Sequence, residues 1–106
     1  MIDIQKMMQQ AQQVQFKLQE MQEKFKDLEV SGESGGGSVK VRMNCAGMVL
    51  SIDIDPSVMG GDKEMAEDLV VAAVNNATEA KETRIQEETK AMMAEMGLPE
   101  DTQLPF

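Results

Sequence analysis

The sequence predicts an α+β fold with a long N-terminal helix, a three-stranded antiparallel meander, and a C-terminal helix or helices. Apolar residues recur at alternating steps of three and four at the start of the chain, and at every second residue in its middle. The first spacing is typical of a helix and the second of a strand. The 106 residues are enough for one domain with a modest core. The expected bounds are one domain at 1–97, with a helix at 3–29, strands at about 28–55, a helical segment at 62–96, and a tail at 98–106.

The predicted N-terminal helix carries one narrow apolar seam. The seam consists of Ile4, Met7, Ala11, Val14, Leu18, Met21, Phe25 and Leu28, and most of the residues between them are Gln, Lys or Glu. A helix of this length is about 40 Å long, and a seam this narrow needs another element to cover it. We therefore expect part of the seam to pack within the protomer and the rest to pack on a second copy.

The middle of the chain predicts the meander. Apolar and polar residues alternate over 39–45 and again over 50–55, which is typical of strands with one covered face. Residues 46–48 form the expected hairpin turn, and the Gly-rich segment 34–38 joins the second strand to a shorter one before it. Pro56 ends the third strand, because proline has no N–H to donate to a strand ladder.

The C-terminal helical segment has recognisable ends. Asp62 is a good N-cap, and the acidic residues of the first turns complement the positive end of the helix dipole. Gly97 is a typical helix terminator. The polar sequence in the middle leaves a bend or break near Asn75–Thr78 as an open alternative.

Composition restricts the compartment and the class of partner. The net charge is −9, and Cys45 is the single cysteine, so no intrachain disulfide is possible and a reducing cytoplasm is favoured. The longest apolar run, Leu69–Val74, has six residues and is too short to span a membrane. The first 30 residues lack the basic and apolar regions of a signal peptide. We expect a cytoplasmic protein whose acidity argues against nucleic acid or an anionic membrane as a partner attracted by net charge alone.

Three features could indicate a chemical site, and each has a simpler structural interpretation. The segment 31–38 is Gly-rich, but a strand is predicted to follow it, whereas a P-loop runs into a helix. Asp53 and Asp55 share one strand face, but the chain has no His, and we interpret the pair as the solvated face of a strand. Cys45 alternates in phase with Met43 and is expected to be buried. No catalytic constellation remains, so we expect neither an enzyme nor a cofactor nor a metal site.

The basic residues are the remaining candidates for chemistry. In the heptad of the seam, Lys17 and Lys24 both fall at position g, beside the seam, and Lys26 falls at b. One interpretation is a solvated flank in which Glu20 pairs with Lys24 and Glu23 with Lys26. The other is a basic stripe that meets phosphates and is doubled by dimer symmetry. Spacing alone leaves both interpretations open.

Four segments are distinctive in combination. They are the amphipathic Gln/Met/Lys helix, LEVSGESGGGSVKVRMN, IDIDPSVMGGDKEMAEDLVVAAVNNA and a terminal LPF. In these segments the chain resembles the YbaB/EbfC family of bacterial nucleoid-associated proteins. The resemblance implies a tweezer-like homodimer that binds double-stranded DNA in the nucleoid. The family's DNA contacts are charged residues of the first and last helices, which here correspond to Lys6, Lys17, Lys24, Lys26, Lys81, Arg84 and Lys90.

Two functions are therefore carried forward. The first is DNA binding, mainly through backbone phosphates, with a role in nucleoid organisation or gene regulation. The alternative is a protein-interaction adaptor whose acidic C-terminal helix binds a basic partner, such as a DNA-processing protein. Neither a membrane nor a small-molecule substrate is expected as a partner.

Overall fold

The computed structural model describes residues 3–98, and these confirm the predicted α+β class. The elements in chain order are helix α1 (Ile4–Phe25), strands β1 (Glu29–Ser34), β2 (Val39–Asn44) and β3 (Val49–Ile54), the short helix α2 (Pro56–Met59) and the long helix α3 (Lys63–Glu95). No helix in this part of the chain is long and apolar enough to cross a membrane. The expected tail lies outside the described residues from 99 onwards.

Helix α1 is shorter than expected at its C-terminal end. It begins after Asp3, whose carboxylate accepts the backbone N–H groups of Gln5 and Lys6, and it ends at Phe25 rather than at residue 29. The chain turns after Phe25 because Cys45 N–H donates to the carbonyl oxygens of both Phe25 and Leu28. These bonds tie the end of the helix to the sheet, so Leu28 belongs to the connection.

The sheet is an antiparallel meander in the order β1-β2-β3, with β2 at its centre. The inner face of β2 presents Val39, Val41 and Met43, which are all buried. The β2–β3 turn is held by Asn44, whose side-chain oxygen accepts the backbone N–H of Met48 at 2.9 Å. Gly47 has a φ of +93° in this turn, which favours glycine because it has no Cβ.

Helix α3 lies across β1 and β2, and it approaches β1 most closely at Gly32. A Cβ at Gly32 would overlap the backbone of Ala73 and Ala77, and both alanines are fully buried. The helix is continuous through its polar middle, so the alternative of a break near Asn75–Thr78 is wrong. Asn76 Nδ2 donates to the carbonyl oxygen of Glu33 at 2.8 Å, which gives this polar residue a partner without interrupting the helix.

Two buried clusters stabilise the fold, and they separate the seam into parts. Leu18, Met21 and Phe25 of the seam are buried against Met92 and Met93 of α3. Val14 and Leu28 are half-buried at the edges of that cluster, while Ile4, Met7 and Ala11 are exposed in the protomer. The second cluster lies between the sheet and the N-terminal half of α3, and consists of Val39, Val41, Met43, Ala73 and Ala77.

The inner face of β3 extends beyond the cover of α3. Ile52 pairs with Val41 in the sheet register and shares its face, yet Ile52 is 45% exposed while Val41 is fully buried. The β2–β3 register shifts between Arg42 and Met43, and beyond this shift Val49 pairs with Met43 and is also exposed. This apolar strip is therefore a surface of the protomer.

Candidate nucleic-acid interface

The C-terminal halves of α1 and α3 lie side by side and run antiparallel, and this pair carries most of the predicted cations. Lys24 Nζ lies 2.9 Å from Glu88 Oε2, and Lys17 Nζ lies 3.7 Å from Glu95 Oε1. Moving seven residues towards the start of α1 thus corresponds to moving seven residues towards the end of α3. Because Leu18, Met21, Met92 and Met93 pack beneath, the long basic side chains extend along the rim of the contact.

Glu88 connects the two helices. Its Oε2 accepts from Lys24 Nζ at 2.9 Å and its Oε1 accepts from Arg84 Nε at 3.2 Å, and its side chain is only 19% exposed. The hydrogen bond from Lys24 is the main cause that lowers the pKa of Glu88 below its ordinary value, while partial burial acts in the opposite direction. The carboxylate is therefore ionised and held between two cations.

Lys81 adds a third cation near this point. Its ammonium nitrogen lies close to the β2–β3 turn, 3.6 Å from the place where a Cβ of residue 47 would stand. Burial raises the pKa of the Cys45 thiol, and the charges of Arg84 and Lys81 oppose that effect. Both cations therefore act on Cys45, at the end of β2. We call Lys24, Lys81 and Arg84 the cation cluster: Lys24 and Arg84 contact Glu88, and Lys81 lies on the side of Arg84 that faces the turn and Cys45.

The other predicted DNA contacts are dispersed. Lys17 lies near Glu20 at 3.8 Å and Lys26 lies near Glu23 at 3.5 Å. Both are exposed surface pairs, which typically contribute about 0–1 kcal/mol. Of the two pairs in the solvated-flank interpretation, Glu20–Lys24 is wrong because Glu20 contacts Lys17, while Glu23–Lys26 is present. The predicted contact set is thus divided among several local environments.

Two predicted residues lie apart from the cation cluster. Lys6 lies in the first turn of α1, about 16 Å along the helix axis from Lys17 at the usual rise per residue. Lys90 is exposed near the end of α3. Within residues 3–98, Lys6, Lys81 and Lys90 have no carboxylate within ion-pair distance. These three ammonium groups can receive an anion without first leaving a carboxylate of the described chain.

The outer face of the sheet has a second polar surface that the sequence reasoning did not select. The register aligns Ser31, Arg42 and Ser51 in one row, and Glu33, Lys40 and Asp53 in the next. Arg42 Nη2 lies 2.8 Å from Glu29 Oε1. Carboxylates match the cations on this face, so it offers no net attraction for an anion. The alternating charges of each strand are visible in the sequence, but the alignment of these residues into rows across the sheet follows only from the strand register.

Asp53 and Asp55, the two carboxylates considered for acid–base or metal chemistry, have structural roles instead. Asp55 Oδ1 accepts the backbone N–H of Ser57 at 2.9 Å and its hydroxyl at 2.8 Å, and these bonds, the backbone one foremost, lower the pKa of Asp55. Asp55 is the N-cap of α2, and Asp53 faces Lys40 across the register. In the described part of the chain, no three His, Cys, Asp or Glu residues group together as a metal site would require.

Comparison with known proteins identifies the family that these features suggest. A model of the YbaB/EbfC DNA-binding family matches residues 1–96, a span that contains every cation described above. The crystal structure of the uncharacterized protein HP0035 from Helicobacter pylori is similar in fold, with a TM-score of 0.75 and 26% sequence identity. The match covers 88% of this chain and 99% of that one. The similarity therefore extends over nearly the whole of both proteins.

Proposed function

Because this chain belongs to the YbaB/EbfC DNA-binding family, we propose that it binds double-stranded DNA as a homodimer, mainly through backbone phosphates. Its place would be the bacterial nucleoid, in the cytoplasm, where it would organise DNA or regulate genes without catalysing a reaction. The observation that supports phosphate binding best is the cation cluster, in which Lys24 of α1 and Arg84 of α3 meet at Glu88 and Lys81 lies one helical turn before Arg84.

Phosphate contact, rather than base reading, fits the chemistry of this surface. Lys and Arg side chains on the flank of two helices donate charge-assisted hydrogen bonds, which phosphate oxygens accept at any sequence. The net charge of −9 repels a duplex at long range. Binding therefore depends on local cations and on counterion release, and we expect a modest affinity that decreases steeply with salt.

The uncovered apolar surfaces support the homodimer. Val49 and Ile52 on the inner face of β3, and Ile4, Met7 and Ala11 on the seam, are exposed in the protomer. Contiguous exposed apolar residues of this kind are typical of protein interfaces. A second copy related by a twofold axis would bury the same surface on each protomer and would duplicate the cation cluster. Two clusters can contact two points of one duplex.

The proposal is tested by fluorescence anisotropy with a labelled duplex across a salt series. We expect binding at low salt, with a logarithm of the association constant that falls linearly with the logarithm of salt concentration. Lys17→Glu combined with Lys24→Glu should abolish it. Lys63→Glu, which makes the same charge change as either substitution alone but at the start of α3, should reduce it far less than Lys17→Glu or Lys24→Glu alone. Absence of binding at low salt, or binding without a salt slope, would contradict the proposal.

The adaptor function retains support from the acidic surface of α3. Glu79, Glu82 and Glu87 are exposed, and such a surface complements a basic protein partner. The Lys17→Glu and Lys24→Glu changes separate the two functions, because they should leave the binding of a basic partner intact. Retention of duplex binding by this double variant would favour an interface elsewhere on the protein.

A further inference from the structure

Glu88 differs from the other carboxylates that contact predicted DNA-binding cations. Glu95 and Glu20 lie 3.7 and 3.8 Å from Lys17 and are mostly exposed, with 68% and 52% of the side chain accessible. Glu88 is 19% exposed and accepts one hydrogen bond on each oxygen, from cations on different helices. Lys24 and Arg84 remain exposed to solvent themselves, so what distinguishes Glu88 is its two short charge-assisted hydrogen bonds, whereas Glu20 and Glu95 make single longer contacts.

The geometry around Glu88 matches the recognition of a phosphodiester. A carboxylate and a phosphodiester group each carry one negative charge shared by two oxygen atoms. Lys24 Nζ and Arg84 Nε donate to the two oxygens separately, which is the arrangement that a backbone phosphate would also satisfy. Lys81, one helical turn before Arg84, acts with Arg84 on Cys45 and adds positive charge on the side of Arg84 that faces the turn.

We propose that Lys24 and Arg84 form a DNA phosphate site which Glu88 occupies in the free protein, so that a phosphate has to displace the Glu88 carboxylate in order to bind. This inference rests on the proposed function. Glu88 thereby sets the affinity for DNA: it holds the two cations in position, and it competes with the ligand for them.

The surroundings of Glu88 allow this exchange. Glu88 lines a groove of about 210 Å³ between α1 and α3, with Lys17 and Lys24 on one wall and Glu95 on the other. The groove gives a phosphate access to Lys24 and gives the displaced carboxylate a route to water. The two ion pairs of Lys17 border the same groove, so a bound phosphate would also lie near a second ammonium group.

The test compares Glu88→Gln with Glu87→Gln in the full-length protein. Both variants remove one negative charge from the same turn of α3, but Glu87 is exposed and has no ion pair within residues 3–98. In anisotropy titrations with a labelled duplex, we expect Glu88→Gln to tighten binding about 5- to 10-fold at low salt and Glu87→Gln about 2-fold or less. The salt slope of Glu88→Gln should steepen by roughly one relative to the wild type, because Lys24 becomes free to replace a counterion.

A double variant tests whether the gain comes from the released cation. Glu88→Gln combined with Lys24→Gln should lose most of the gain, whereas Glu87→Gln combined with Lys24→Gln should weaken binding only as Lys24→Gln does. If circular dichroism shows that Glu88→Gln does not fold, the titrations are carried out with Glu88→Asp instead. The shorter side chain cannot reach both cations, and we expect tighter binding in that case also.

The inference and the proposed function fail in different ways. Equal gains in Glu88→Gln and Glu87→Gln, with a wild-type protein that binds DNA, would overturn the inference and leave the function intact. Weaker binding by Glu88→Gln would also overturn the inference and leave the function intact, because Glu88 would then only hold the cations in position and would not compete with DNA for them. If neither the wild type nor any variant binds duplex at low salt, the proposed function itself is wrong.

Discussion

The two halves of α3 pack against the protein in different ways. The N-terminal half lies on the sheet, where Gly32, Ala73 and Ala77 bring backbone against backbone. The C-terminal half lies against α1 through methionines, with ion pairs at the rim. Backbone contact leaves no room for adjustment, whereas methionine side chains adapt to their neighbours. We therefore expect the contact of α3 with the sheet to tolerate substitutions less well than its contact with α1.

The largest expected effect comes from disturbing the sheet side at Gly32. A methyl group there would overlap the backbone of Ala73 and Ala77, so α3 would have to move off β1. We expect Gly32→Ala to lower the free energy of unfolding by more than about 4 kcal/mol, which is close to loss of the fold. Urea denaturation followed by circular dichroism, at one fixed protein concentration, measures it.

Gly60→Ala is the matched control for this substitution. A Cβ at Gly60 would meet only the carbonyl oxygen of Pro56, at 3.7 Å, and the φ of Gly60 is −85°. We expect a change within about 0.5 kcal/mol. Similar effects of the two substitutions would show that the close approach of α3 to β1 does not limit stability.

The contact between α1 and the C-terminal half of α3 should tolerate substitutions that change the shape of a buried side chain but not those that change its volume. Met93 is buried between α1 and α3, and Met93→Ala removes most of its side chain. We expect a loss of about 3 kcal/mol, mainly from the cavity, whereas Met93→Leu should cost less than about 1.5 kcal/mol because its volume is conserved. Thermal unfolding of the two variants provides the measurement. A large cost for Met93→Leu would mean that this side is packed as specifically as the sheet side.

The sequence predicted what depends on local periodicity and missed what depends on distant partners. The helical and strand periods gave the α+β fold and its order, and Asp62 was identified as the N-cap that the structure shows. The sequence predicts too late an end for α1 because Leu28 continues the seam, whereas in the structure two hydrogen bonds from Cys45 N–H hold the turn that ends the helix. Spacing along α1 suggested Glu20 as the partner of Lys24. The observed partner, Glu88, is 64 residues away, and no local pattern identifies it.

The pH dependence of stability should sharpen the contrast at Glu88. The pKa of Glu88 is lower in the folded protein than its ordinary value, so the unfolded chain binds a proton first as the pH falls. Stability from this group is therefore fully present at neutral pH and is lost as the pH falls through its folded pKa. Asp55 contributes with the same sign, in the wild type and in Glu88→Gln alike. Between neutral pH and a pH of about 3, the free energy of unfolding should thus fall less in Glu88→Gln than in the wild type. Parallel curves of unfolding free energy against pH would show that the ionisation of Glu88 does not contribute to stability.

The smallest effect on stability is expected at Lys17, although this residue borders the same groove as Lys24. Its contacts with Glu20 and Glu95 are long and exposed, so Lys17→Gln should change the free energy of unfolding by less than about 0.5 kcal/mol. Its effect on duplex binding should be larger, with a salt slope reduced by about one. Measuring both quantities on one preparation separates a cation that supports the fold from one that receives DNA. A loss of stability without a change in the salt slope would place Lys17 among the former, and the DNA interface would then begin at Lys24.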